Sequence, residues 1–172
     1  LHWPTPSGDN REALELLQQA ANKGYAKSIG ISNYTIAMME EAAETLDFIP
    51  VCNQVEFHPY LNQSKLLAAA NRLGIALSAY CPLAKGQIFG DPVIKSLAAK
   101  YNRSEAQVIL RWIVQKGVSA NPMSTNPENL KANLAALNFS LSAPDSFAID
   151  SLGEKGLRIV DKNRMPIAPE WD

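Results

Sequence analysis

Four short apolar runs in this chain break off abruptly into polar or aromatic residues: Ser28-Ile29-Gly30-Ile31-Ser32-Asn33, Asn53-Gln54-Val55-Glu56-Phe57-His58-Pro59-Tyr60, Leu77-Ser78-Ala79-Tyr80 and Val118-Ser119-Ala120-Asn121-Pro122. A further polar end stands in Leu1-His2-Trp3-Pro4. The residues at or just past these ends, His2, Ser32, Asn33, Gln54, Tyr80 and Ser124, offer an imidazole, hydroxyls, carboxamides and a phenol, groups that hydrogen-bond a polar ligand. No metal site is expected among them. A short apolar run bounded by turn residues suits a strand buried on both faces, and its polar end marks where it emerges. The chemistry then lies along one rim of a strand-helix repeat.

The elements that must carry these ends follow from periodicity. After a turn at Pro6 to Asn10, Leu14, Leu17 and Ala21 recur at helical spacing as far as Lys23-Gly24, where the glycine suits the position just past a helix end. That helix hands over to the strand that ends at Asn33. Ile36, Met39, Ala43 and Leu46 define a second helix, and Phe48-Ile49-Pro50 leads into a strand from Val51 to Val55. A third helix carries Leu66, Leu67, Ala70 and Leu73, stops at Gly74 and releases a strand from Ile75 to Tyr80. Strands that begin near residues 27, 51 and 75 recur at one interval, a repeated β-α unit. The fourth unit is longer. Asp91-Pro92 opens a helix through Ile94, Leu97 and Tyr101, and a capping box from Ser104 to Gln107 opens another. Gly117 ends that helix and Val118 starts the next strand. Asn126-Pro127 caps a helix with Leu130, Leu134 and Leu137 on one face, and Ser142 to Asp145 caps the last, which ends at Leu152-Gly153. Residues 154–172, with Pro166, Pro169 and Trp171, have no clear period and read as a tail laid over something.

Composition narrows the class. With 172 residues, 47% hydrophobic and 19% charged, the chain has apolar material for one core and reads as one domain or part of one. Sixteen basic against seventeen acidic residues give a net charge of −1, and there is no basic stripe to neutralise nucleic-acid phosphates. No apolar run approaches the roughly 20 residues needed to span a bilayer, and the chain does not open with a basic and then apolar signal peptide. Neither nucleic acid nor membrane is an expected partner. The two cysteines, Cys52 and Cys81, read as buried thiols in a reducing compartment, so a cytoplasmic location is expected.

Parallel strands joined by helices leave two architectures, an open doubly wound sheet and a closed (β/α)₈ barrel. The Gly-rich phosphate loops G-x-G-x-x-G and G-x-x-x-x-G-K-[ST] are both missing. A barrel instead draws functional residues from the C-terminal ends of many strands, the pattern that His2, Ser32-Asn33, Asn53-Gln54, Tyr80 and Ser124 follow. A barrel needs eight strands and typically about 250 residues, whereas four strands and the stub of a fifth are visible here. The expected fold is therefore α/β, the C-terminal part of a (β/α)₈ TIM barrel. Residues 1–172 are expected to form a single, incomplete barrel domain with the tail at 154–172.

Five ordered motifs then carry a resemblance. His2-Trp3-Pro4, Ser28-Ile29-Gly30-Ile31-Ser32-Asn33-Tyr34, Asn53-Gln54-Val55-Glu56-Phe57-His58-Pro59-Tyr60-Leu61, Ala79-Tyr80-Cys81-Pro82-Leu83 and Pro122-x-Ser124 resemble the aldo-keto reductase family over essentially the whole chain. The closing Ala168-Pro169-Glu170-Trp171-Asp172 is similar to the tail of bacterial members. The resemblance implies a barrel that binds an extended nicotinamide dinucleotide, NADP(H) or NAD(H), without a Rossmann fold and reduces aldehyde or ketone carbonyls to alcohols. The family's catalytic tetrad is Asp, Tyr, Lys and His. Only the His maps onto this chain, as His2, and Trp3 beside it falls on the substrate side.

Hydride delivery to a carbonyl builds negative charge on oxygen, so the site must hydrogen-bond that oxygen and provide a proton. By resemblance the family's Tyr is the acid and His2 orients the carbonyl. Ser32, Asn33 and Gln54 hold the nicotinamide carboxamide, and Tyr80 stacks on the ring and leaves its other face open. Cys81 and Leu83 continue the cofactor segment, Cys81 as a small packing residue where many relatives carry Ser. In the loop that holds Met123, Ser124, Thr125 and Asn129, many relatives have Lys where this chain has Met123 and Arg where it has Asn129. Those cations pair with the adenosine 2′-phosphate of NADPH. Met supplies no charge-assisted hydrogen bond and Asn only a neutral one, so weak discrimination between NADPH and NADH is expected. Backbone amides after Asn126 remain candidates for a phosphate, and Asn133 fits the adenine contact. Each residue read alone is an ordinary strand-end polar group; their joint placement carries the assignment. Glu56 and His58 are read as structural.

The expected partner is a small-molecule carbonyl substrate, and the complete protein is expected to be a monomer or weak dimer. Two other readings remain: a non-catalytic member of the fold whose cofactor binding regulates a partner, and a half-barrel that closes by pairing with a second copy. The 172-residue chain alone is expected to be inactive, because the family's Asp, Tyr and Lys have no counterpart in it.

Overall fold

Five of the seven α-helices in this protein start where a side-chain oxygen meets the backbone N–H groups that a first turn leaves unpaired. In a computed structural model that describes residues 1–172, Thr35 accepts from the Met38 N–H and opens α2, Ile36–Thr45, which follows α1, Arg11–Asn22. Asp91 accepts from the N–H groups of Val93 and Ile94 and opens α4, Pro92–Tyr101, which follows α3, Ser64–Leu73. Ser104 and Gln107 form the expected capping box at the head of α5, Glu105–Gln115. Asn126 caps α6, Pro127–Leu134, and Ser142 caps α7, Ala143–Asp150. The strands are β1, Ile31–Ser32; β2, Cys52–Glu56; β3, Ala76–Tyr80; and β4, Ser119–Ala120.

Strands begin later than periodicity suggests, for a physical reason. The Ile75 N–H donates to the Ala70 carbonyl at 2.9 Å and the Val118 N–H to the Ile113 carbonyl at 3.3 Å. The first apolar residue after each helix is thus spent on closing that helix, and the ladder starts one residue on. The run expected from about residue 27 is tied to the next one at Ile29, whose carbonyl accepts the Val51 N–H at 2.9 Å, and becomes regular strand at Ile31. Gly30 allows that approach, since a Cβ there would lie 2.8 Å from the Cys52 Sγ.

The chain divides into two units, one made of Leu1–Val55, Gln63–Ser78 and Val160–Asp172, the other of Glu56–Asn62 and Ala79–Ile159. In the first, β1 and β2 pair in parallel with Ile31 opposite Asn53 and Ser32 opposite Gln54. The Ala76 N–H continues the ladder to the Val51 carbonyl at 3.3 Å. Leu14 of α1, Met39 and Ala42 of α2 and Leu66 and Ala70 of α3 are buried with Ile31, Val55 and Leu77. Asp172 reaches back here, its carboxylate accepting the Ile36 N–H at 3.0 Å.

In the second unit the Phe57 N–H donates to the Tyr80 carbonyl at 3.3 Å and the Asn121 N–H to the Ala79 carbonyl at 3.0 Å. Its core is built on α5, with Val108, Ile109 and Ile113 fully buried alongside Ile94, Ile149 and Ile159. Each such side chain contributes about 1.5–3 kcal/mol of transfer free energy. The Trp112 indole N–H donates to Asp150 at 2.7 Å and ties α5 to α7. The Leu157 N–H donates to the Tyr60 carbonyl at 2.8 Å, which lays the start of the tail along the segment after β2. The apolar face expected on α6 is not a buried one. Leu130, Leu134 and Leu137 are 46%, 70% and 55% exposed and border a groove with Leu110, Val114 and Pro122.

The strand order β1-β2-β3-β4 follows chain order without the reversal that marks a doubly wound sheet. The fold is part of a (β/α)₈ barrel. No helix is long and apolar enough to cross a membrane.

Candidate functional site

In the first unit the end of β1 turns sharply at Asn33, whose φ of 62° lies in the left-handed region that Asn tolerates better than most residues. That turn lets one short segment tie the end of β1 to β2 and to the His2 backbone. The Ser32 hydroxyl donates to the Gln54 carbonyl at 2.8 Å, and the Asn33 N–H reaches the same carbonyl at 2.9 Å. The Asn33 carboxamide N–H donates to the His2 carbonyl at 3.1 Å and to the Ser32 hydroxyl at 3.2 Å. Asn53 braces the turn from behind, accepting the Tyr34 N–H at 3.3 Å and donating to the Tyr34 carbonyl at 2.9 Å. His2, Ser32, Asn33 and the Gln54 backbone are thereby held as one cluster. Its interior is dry, with Ser32 6% and Asn33 1% exposed, while the His2 side chain is exposed. Trp3 is half-buried, its ring centroid 6.1 Å from that of His2. Ser32 has spent its only proton on the Gln54 carbonyl, so toward a ligand it acts as an acceptor.

In the second unit Tyr80 closes β3. Burial, reinforced by the Glu56 carboxylate, pushes its phenol far above the usual range despite the opposing Arg158 charge. Tyr80 is therefore a neutral ring at any physiological pH. Burial and Glu56 likewise raise the Cys81 thiol, which keeps it protonated and poorly nucleophilic. Glu56 and His58 are both fully buried. One Glu56 oxygen meets His58 Nε2 at 2.9 Å and accepts the Ile159 N–H at 2.6 Å. That pair anchors the tail, a structural task. Past Tyr80 the backbone is left-handed at Cys81, Ala84, Lys85 and Gly86. At the non-glycine positions that conformation costs roughly 1–2 kcal/mol each.

Leu83 leaves this turn for a cavity of about 620 Å³ whose wall also carries Met123, Ser124, Asn129 and Asn133. Five residues singled out from sequence come together there, and the volume falls inside the ~300–1,000 Å³ usual for small-molecule sites. Thr125, the sixth of that segment, is exposed and not among the lining residues. The Met123 side chain is 96% exposed. The amides expected to be open after Asn126 are partly engaged, because the Asn126 side chain accepts the Glu128 N–H at 2.9 Å.

Arg103, which sequence reasoning passed over, lies on the same wall. Its guanidinium carbon is 5.3 Å from the Phe139 ring centroid, Nη1 donates to the Asn102 carbonyl at 3.2 Å, and Nε is buried without a partner. A buried unpaired donor costs about 1–3 kcal/mol. The signal in the sequence was a lone basic residue before a capping box, a pattern that marks a helix start and says nothing of a ligand.

Comparison with known proteins bears on the fold and the family. The profile of the Aldo/keto reductase family matches residues 1–154. Methylglyoxal reductase DkgB of Escherichia coli O157:H7 is 41% identical over 175 residues, 100% of this chain and 64% of that protein. A structure solved as a candidate 2,5-diketo-D-gluconic acid reductase B superposes with a TM-score of 0.94 at 38% identity, covering 100% of this chain and 61% of the other. A Bombyx mori aldo-keto reductase in complex with NADP gives 0.85 at 31% identity, over 94% and 58%. The chain thus spans less than two thirds of the length of these relatives.

Proposed function

Since the chain belongs to the aldo/keto reductase family, we propose that the protein is an NAD(P)H-dependent oxidoreductase that reduces small aldehyde or ketone carbonyls, of the methylglyoxal class, to alcohols. The observation that carries this reading is the cavity shared by Leu83, Ser124, Asn129, Asn133 and Arg103. Apolar side chains, carboxamides, a hydroxyl and a cation on one wall suit a purine nucleoside with an anionic substituent. The NADP complex of the silkworm relative supports the same choice.

The bound dinucleotide supplies a hydride. This chain's own residues bind and orient. Leu83, Asn129 and Asn133 would hold the adenosine, with Met123 and Ser124 along its phosphate side. By resemblance to the family, Ser32, Asn33 and Gln54 would serve the carboxamide, and Tyr80 and Cys81 would serve the ring. His2 hydrogen-bonds the carbonyl oxygen as negative charge develops on it, with Trp3 beside it against the substrate. The proton comes from the family's Tyr, which by resemblance lies outside these residues.

The test is carbonyl-dependent NADPH oxidation by the full-length protein with methylglyoxal. His2→Ala is expected to lower kcat by roughly 10²-fold or more and to leave the cofactor Kd unchanged. Cofactor consumption that is independent of carbonyl, or no binding of either nucleotide, would remove the reductase reading.

A further inference from the structure

We infer that Arg103 is the cationic contact for the adenosine 2′-phosphate of NADPH in this protein, supplying the charge that Met123 and Asn129 do not; the inference rests on the dinucleotide reading above. Among the residues that line the 620 Å³ cavity, Arg103 is the one that carries positive charge. The one acid there, Glu105, is already engaged, accepting the Gly90 N–H at 2.7 Å. Arg103 forms no ion pair, and its Nε has no partner. A guanidinium on a cavity wall that no carboxylate pairs is able to receive an anion.

The geometry also favours a phosphate over a diffuse negative field. The Phe139 ring and the Asn102 carbonyl hold the guanidinium from two sides, so little side-chain freedom is lost when its fork meets phosphate oxygens. Ser124, on the same wall, is positioned as a neutral companion. A phosphate monoester carries about −1.5 to −2 charges at neutral pH, whereas NADH presents only a hydroxyl at that position. Arg103 therefore separates the two cofactors, and the weak discrimination expected from Met123 and Asn129 alone becomes a preference for NADPH.

Dissociation constants of NADPH and NADH are measured by fluorescence titration for the full-length wild type, Arg103→Ala and Arg103→Lys. In Arg103→Ala the NADPH Kd is expected to rise on the order of 10- to 100-fold with NADH unchanged within about twofold, and Arg103→Lys is expected to recover part of the loss. NADH affinity doubles as the check on folding. If Arg103→Ala does not fold, Arg103→Gln, which keeps a planar group over Phe139, carries the same comparison. Equal weakening of both cofactors, or no change in either, would overturn the inference. A wild type that binds neither nucleotide would instead sink the dinucleotide reading itself.

Discussion

At Asn33 one side chain does two separable things. Its backbone sits at φ 62°, and its carboxamide ties the end of β1 to the His2 carbonyl. Asn33→Gly removes the tie and keeps the backbone comfortable; Asn33→Ala removes the tie and adds roughly 1 kcal/mol for a Cβ in the left-handed region. The alanine variant should therefore unfold at lower denaturant than the glycine variant, with both below wild type. Equal midpoints would mean that the turn is not strained. Tyr80 is argued differently, because its phenol is too firmly neutral for proton transfer and its use is the ring. Tyr80→Ala should weaken nicotinamide-dinucleotide binding by about 0.5–1.5 kcal/mol beyond the lost contact area. Unaltered affinity for either cofactor would take Tyr80 out of the site.

Helix ends were the part of this fold most open to reading in advance. Ser104 and Gln107 stand three residues apart with the hydroxyl and carboxamide that a capping box needs, and the structure forms that box. Ser104→Ala should cost about 1 kcal/mol, or roughly 2–4 °C in Tm for a chain of this size. Gln107→Ala should cost more, since its carboxamide N–H also donates to the Ala132 carbonyl at 2.9 Å and joins α5 to α6. Asp91 adds a pH dependence. Burial alone would raise its carboxyl, but hydrogen bonds from Lys155, Tyr60 and the N–H groups of Val93 and Ile94 outweigh it, and the net shift is downward. A carboxyl held low when folded contributes stability that is fully present above its unfolded value near 3.9 and is lost as pH falls through the folded value. Asp91→Asn keeps a capping oxygen and should flatten this acid limb; an unchanged limb would assign it to other carboxylates. Strand starts were less legible than caps, because whether Ile75 or Val118 closes a helix or opens a strand is decided by a hydrogen bond five residues back, which no apolar pattern records. Arg103 was hidden for the opposite reason: its neighbours on the cavity wall come from four separate stretches of sequence, and only folding brings them together.

For the molecule as a whole, the apolar face that the sequence places on α6 marks exposed surface. Leu134 is 70% exposed, Leu130 46% and Leu137 55%, and the groove they border reaches Ala120 of β4. That strand stands last in the sheet order, and the exposed leucines beside it form the kind of apolar surface that drives association between chains. We therefore predict that the isolated 172-residue chain elutes above its monomer mass of 18.8 kDa. Replacing Leu130 and Leu134 together with Lys should shift it toward monomer without reducing its helical signal, because neither side chain is buried in the second unit's core. The same sample should show no carbonyl-dependent oxidation of NADPH, since His2 can hydrogen-bond a carbonyl oxygen but no counterpart of the family's Tyr stands in this sequence to protonate it. A monomeric wild-type chain of confirmed mass that turns over methylglyoxal would defeat both parts, and would require a proton donor that this chain supplies from residues not assigned above.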